Sequence, residues 1–173
     1  MTGNPHATPI TRTAALALAG EVCALLEANA VPHLLYGSAA YALVTGDEAT
    51  QPGDLDIIVR QSDFDRICGL LDGSALSLTP IRTPFSIHAN STAYEAPDAT
   101  PFDVSLDSYE HYFENRGFEF GAGQRLHGIR VMSTADLIRA YEVGLGGANE
   151  AKKAEYIRKL KQLRAGSWKG DRA

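Results

Sequence analysis

The run Asp54-Leu55-Asp56-Ile57-Ile58-Val59 admits few folds. Side chains alternate along an extended chain, so Asp54 and Asp56 share one side while Leu55, Ile57 and Val59 share the other. The aliphatic side calls for a buried layer. The two carboxylates, roughly 7 Å apart at the backbone, repel each other unless a cation stands between them. The run therefore predicts a strand, Asp54–Val59, in a sheet with one covered face and one face that carries chemistry.

Upstream, His33-Leu34-Leu35-Tyr36 reads as a short buried strand that runs into Gly37-Ser38, and the apolar stretch Ala39–Val44 opens a helix at once. Such a junction presents free backbone N–H groups and the positive end of a helix, which together form an anion cradle. Gly37 lets a phosphate approach the backbone closely, and Ser38 adds a hydroxyl donor. Fifteen residues, including the polar loop Thr45–Gly53, separate Ser38 from Asp54. A phosphate cradle beside a dicarboxylate suits a nucleoside triphosphate with Mg²⁺ or Mn²⁺, since such an ion takes oxygen ligands and bridges to substrate phosphates. A third acid would complete the site. The strand Phe102–Leu106 offers Asp103 as first choice, with Ser105 and Asp107 on the same face and Asp107 as second choice. Such a group can bind a second ion or help deprotonate an attacking hydroxyl.

The remaining periodicities predict helices over Thr13–Asn29, Ser62–Asp72, Tyr109–Arg116, Thr134–Leu145 and Asn149–Arg164. Ser62 with Asp65, and Ser133 with Asp136, have capping-box spacing. Leu76–Ser91 reads as strand pieces broken by Pro80 and Pro84, and Phe118–Met132 as a hairpin turning at Gly121-Ala122-Gly123. The expected fold class is α+β: a mixed β-sheet flanked by helices with a C-terminal helical unit. The expected organisation is a flexible N-terminus over 1–12, a catalytic-type domain over 13–132, C-terminal helices over 133–165 and a flexible tail over 166–173.

Gly37-Ser38 followed by Asp54-Leu55-Asp56-Ile57 and a later strand acid resembles the polymerase-beta-like nucleotidyltransferase superfamily. The nearest likeness is to its small prokaryotic members, the minimal nucleotidyltransferases of toxin–antitoxin and abortive-infection systems and the antibiotic nucleotidyltransferases. The resemblance covers Leu34–Asp107 and extends more weakly to Ser133–Ile138 and the closing Lys/Arg-bearing helix. It implies that Gly37 and Ser38 hold the triphosphate, and that Asp54, Asp56 and Asp103 bind metal and are catalytic. It implies transfer of a nucleoside monophosphate from an NTP, with ATP expected, to a hydroxyl acceptor: a protein side chain, a tRNA end or a small compound such as an aminoglycoside. The helix after Gly37-Ser38 carries Tyr41 and no basic residue nearby, so Lys152 and Lys153 on the last helix are the expected partners of the phosphates. The alternative within the same fold is a non-catalytic binding or regulatory module, associating with a protein partner or as a homodimer through its C-terminal helices.

Charge narrows the partners. Residues 148–173 carry eight Lys/Arg against three Asp/Glu, or +5, so the net charge of −5 leaves −10 on the rest. An acidic body disfavours general DNA binding and mildly favours a cationic acceptor. No apolar run approaches the roughly 18 residues of a membrane span. The polar start lacks a secretory pattern, which makes a cytoplasmic location the default. Cys23 and Cys68 form no metal-ligand spacing and read as buried free thiols. His88 reads as structural or exposed, His33, His111 and His127 share no ligand spacing, and Tyr109, Tyr112 and Phe113 read as packing residues. Trp168 lies in a polar tail.

Overall fold

The computed structural model describes residues 6–170, with side chains described through residue 166, so Trp168 falls outside the described side chains. The elements are β1 (Thr8–Pro9), α1 (Arg12–Ala28), β2 (His33–Tyr36), α2 (Gly37–Thr45), β3 (Leu55–Val59), α3 (Phe64–Asp72), β4 (Leu78–Arg82), β5 (Ser86–Glu95), β6 (Pro101–Ser108), α4 (Tyr109–Tyr112), β7 (Gln124–Leu126), β8 (Ile129–Val131), α5 (Thr134–Leu145) and α6 (Glu150–Gly170). Among the described residues the chain is α+β, and its strands form one mixed sheet in the order β1-β5-β6-β3-β2-β8-β7, with β4 on the outer side of β5.

Strand β3 lies at the centre, antiparallel to β2 and parallel to β6. That position explains its composition, because a central strand is covered on both sides. Leu55, Ile57, Ile58 and Val59 are all buried, each contributing about 1.5–3 kcal/mol of burial. Helix α1 contacts β2 and β8, and α3 contacts β4 and β5. Helices α5 and α6 pack on each other and on α2. Caps fix their starts: Ser133 accepts from the Asp136 amide at 3.1 Å, and Asn149 Oδ1 accepts from the Lys152 amide at 2.9 Å, each worth about 1 kcal/mol. Cap geometry thus sets where α6 begins, and with it which residues of α6 face the sheet.

Several expectations are corrected. The hairpin turns at His127-Gly128, not at Gly121–Gly123: both residues have positive φ, 50° and 80°, as a two-residue type I′ turn requires. Pro80 does not break a strand. It sits inside β4, opposite Ala89, and β4 is an edge strand where a missing N–H is tolerated. Ser62 does not cap α3. A 3₁₀ turn, Gln61–Asp63, precedes that helix, and Asp65 pairs instead with Arg82. The helix expected over Tyr109–Arg116 is a single α turn followed by a 3₁₀ turn at Glu114–Arg116. Thr8-Pro9 pairs with Tyr94-Glu95 and Ile10 is buried, within the segment read as flexible. Cys23 is buried, and burial pushes its thiol up to about 12. Cys68 is only half-buried, and both thiols are free.

Candidate active site

The register of the central strands assembles one face of the site. Cross-strand partners share a face, and the row Tyr36–Asp56–Ser105–His88 crosses β2, β3, β6 and β5. Asp103 lies two residues before Ser105 on β6, next to Asn90 of β5, and Asp54 precedes β3 at the matching level. Asp54, Asp56 and Asp103 thus occupy one patch. Gly37, where β2 hands over to α2, has φ of 68°, and a Cβ there would collide with the Asp56 carboxylate. Only glycine satisfies both demands, so the Gly in the motif serves Asp56 as well as any phosphate.

The electrostatics of this patch call for a cation. Burial, then Asp54, Asp107 and Asp103, push the Asp56 carboxyl well above its ordinary value. Burial and then Asp103 raise Asp54, with Lys152 opposing. No ion pair among the described residues neutralises either one. Asp103 accepts on Oδ2 from His88 Nδ1 at 2.8 Å, while its Oδ1 is buried and without a partner. An orphaned carboxylate oxygen beside two repelling carboxylates fits a divalent cation. No three His, Cys, Asp or Glu side chains among the described residues already gather tightly enough to hold a metal ion. An ion here would draw part of its shell from substrate oxygens, as Mg²⁺ commonly does.

The opposite wall is α6. A cavity of about 640 Å³ is lined by Gly37, Ser38, Asp54 and Asp56 on one side and by Lys152, Tyr156 and Lys159 on the other. Lys159 is 2% exposed. Its Nζ pairs with Glu155 at 2.7 Å and lies 5.3 Å from the ring centroids of both Tyr41 and Tyr141. Cation–π contact with two rings stabilises an ammonium away from water. Tyr41 is itself fixed by Gln162 and Asp47, and Asp47 pairs with Arg158 at 3.1 Å.

No protein-family model and no curated protein sequence matches the chain. Solved structures do match. An antigenic nucleotidyltransferase-like protein from Paracoccidioides brasiliensis aligns at TM-score 0.62 and 14% identity, over 90% of this chain and 77% of that one. The antibiotic-resistance factor ANT(2'')-Ia aligns at 0.60 and 12% identity, over 90% of each chain. The lincosamide antibiotic adenylyltransferase LnuA, solved with lincomycin bound, aligns at 0.60 and 13% identity, over 86% of this chain and 95% of that one.

The chain has the polymerase-beta-like nucleotidyltransferase fold.

Within that fold the structure brings together Gly37, Ser38, Asp54, Asp56 and Lys152 around one cavity, with Asp103 in the adjoining row. Lys153 is turned away and pairs with Glu150 at 3.0 Å. Lys159, not Lys153, lines the cavity beside Lys152. Helical phase could have found it: Lys152 and Lys159 stand seven residues apart on one face, while Lys153 is a third of a turn around. Asp107 is not a free ligand. Its oxygens accept from Tyr36 at 2.6 Å, Ser86 at 2.7 Å and Ser105 at 2.9 Å. His88 proves to be the Asp103 partner, a pairing made by strand register and invisible in linear spacing.

Proposed function

We propose that the protein is a metal-dependent nucleotidyltransferase that moves a nucleoside monophosphate from an NTP, most simply ATP, to a hydroxyl acceptor. The observation that carries this reading is the opposition, across one cavity, of two carboxylates without an ion-pair partner among the described residues, Asp54 and Asp56, and two lysines, Lys152 and Lys159. Asp54 and Asp56, with Asp103, would hold Mg²⁺ or Mn²⁺, which supplies charge neutralisation at the phosphates. The α2 N-terminus at Gly37-Ser38 and the ammonium groups of Lys152 and Lys159 would bind the triphosphate and orient it. Asp103 takes the proton of the acceptor hydroxyl as its oxygen attacks the α-phosphorus. The bond from that phosphorus to the bridging oxygen breaks, and pyrophosphate leaves. Residues 13–132 carry the chemistry in this reading, and 133–165 supply the helical wall. The toxin–antitoxin or defence setting is carried over from the sequence resemblance as part of the same proposal, and a cytoplasmic location is proposed with it. No described helix is long and apolar enough to cross a membrane.

The test is thermal unfolding with Mg²⁺ and each NTP, wild type against Asp54→Asn/Asp56→Asn. Ligand at 100 times Kd adds about 2.7 kcal/mol, and the double variant loses that stabilisation. No stabilisation of the wild type by any NTP makes the non-catalytic binding module the better reading.

A further inference from the structure

A second cavity, of about 430 Å³, adjoins the first and shares Tyr36 and Ala140 with it. We infer that this cavity binds the acceptor, and that the acceptor is a small molecule with a flat apolar or aromatic body, a free hydroxyl and no positive charge. The inference rests on the assignment of the first cavity to the nucleotide.

Position supports the acceptor role. His88, which holds Asp103, lines this cavity and not the first. A hydroxyl lodged beside His88 therefore lies on the acceptor side of the acid proposed to take its proton, with the nucleotide on the far side of Tyr36. Size suits a small molecule, since 430 Å³ falls among ordinary small-ligand pockets. Shape and surface support a flat apolar body. Tyr36, Tyr112, Phe113 and Phe118 wall it, and Phe113 meets Tyr36 and Phe118 edge to face at 5.1 and 5.5 Å. Edge-to-face rings fix one another, and such an aromatic wall favours an apolar or aromatic group against it.

Charge decides against a polycation, although the acidic body had favoured one. The charged or chargeable groups in the lining are Asp107, His88 and Arg116. Both oxygens of Asp107 are occupied by the hydroxyls of Tyr36, Ser86 and Ser105. An ammonium group entering here would find a single carboxylate, already engaged by three hydroxyls, and its attraction would be opposed by the Arg116 guanidinium. Long-range attraction by the acidic body acts on encounter, whereas the wall chemistry acts on the bound molecule.

The test uses the full-length, isotope-labelled protein and follows backbone amides by NMR. Phenethyl alcohol is the uncharged aromatic probe, and tobramycin the polycationic polyol. Both are titrated alone and with Mg²⁺ and a non-hydrolysable ATP analogue. The expected result is that phenethyl alcohol shifts the amides of Phe113, Arg116, Phe118 and Val143, whereas tobramycin leaves them in place. Val143, half-exposed on α5, gives the control: Val143→Trp fills the cavity and removes those shifts. Tobramycin binding at these amides more tightly than the alcohol overturns the inference. So does the absence of any shift with the alcohol under both conditions. Loss of the MgATP thermal shift in the wild type strikes the nucleotide assignment instead, and the alcohol titration remains readable without nucleotide.

Discussion

The two walls of the first cavity are built by opposite means. The sheet wall is held by register: Asp56 faces Tyr36 and Ser105 across hydrogen-bonded strands, and the missing side chain of Gly37 leaves the space that the Asp56 carboxylate occupies. The helical wall is held by packing: Lys159 is placed by the rings of Tyr41 and Tyr141 and by Glu155, one turn earlier on α6. The sheet wall gathers negative charge that no ion pair among the described residues neutralises, and the helical wall offers positive charge. A protein built only for stability would pair these groups directly. On the proposed reading, their separation across open volume suits a ligand that carries its own cation and its own anion, a metal–triphosphate.

Substitutions on either wall break or sharpen this contrast. The largest effect is expected at Gly37→Ala. A left-handed backbone costs an L-residue about 1–2 kcal/mol, and the clash with Asp56 adds to that. We expect at least about 2 kcal/mol of lost stability in urea unfolding, together with loss of MgATP binding. Lys159→Met keeps the buried stem and removes the charge. We expect it to weaken MgATP binding by about tenfold, near 1.4 kcal/mol, with unfolding of the free protein little changed, as isothermal titration and melting would show. Asp107→Ala strands three hydroxyls and should cost about 1–3 kcal/mol of stability. Asp103→Ala loses one bond to a half-exposed histidine and should cost less in the same melt, which separates the structural acid from the site acid.

The smallest effect concerns Asp56 alone and runs in the stabilising direction. Burial and neighbouring carboxylates raise its folded-state pKa. The unfolded chain therefore releases this proton at lower pH than the folded one. As pH rises through the unfolded value toward the folded value, the folded state binds more protons and stability falls. Without metal, Asp56→Asn should therefore melt a few degrees higher than the wild type near neutral pH, at about 2–4 °C per kcal/mol. The difference should vanish in acid below the ordinary carboxyl range, and the variant should gain nothing from MgATP.

The sheet wall was legible in the sequence and the helical wall only at Lys152, for a physical reason. Alternation along Asp54–Val59 and the Gly37-Ser38 junction are local, and local geometry fixes what they present. β2 and α5 have the bounds that local periodicity and capping predict. Lys159 and His88 depend on long-range placement: how α6 is rotated against α2, and which residue of β5 lies beside β6. The turn at His127-Gly128 lacks the Asn-Gly or Asp-Gly signature of a type I′ loop, so the glycines at 121 and 123 are the stronger local signal. Pro80 misled because whether a proline breaks a strand depends on whether the strand lies at an edge, which is a property of the sheet.

The most direct test places the ligand itself. Mn²⁺ with a non-hydrolysable ATP analogue broadens nearby amide resonances through its unpaired electrons. We expect simultaneous broadening at Gly37, Ser38 and Asp56 on the sheet wall and at Lys152 on α6, all lost in Asp54→Asn/Asp56→Asn. Broadening confined to surfaces outside this cavity, or unchanged in the double variant, would contradict it.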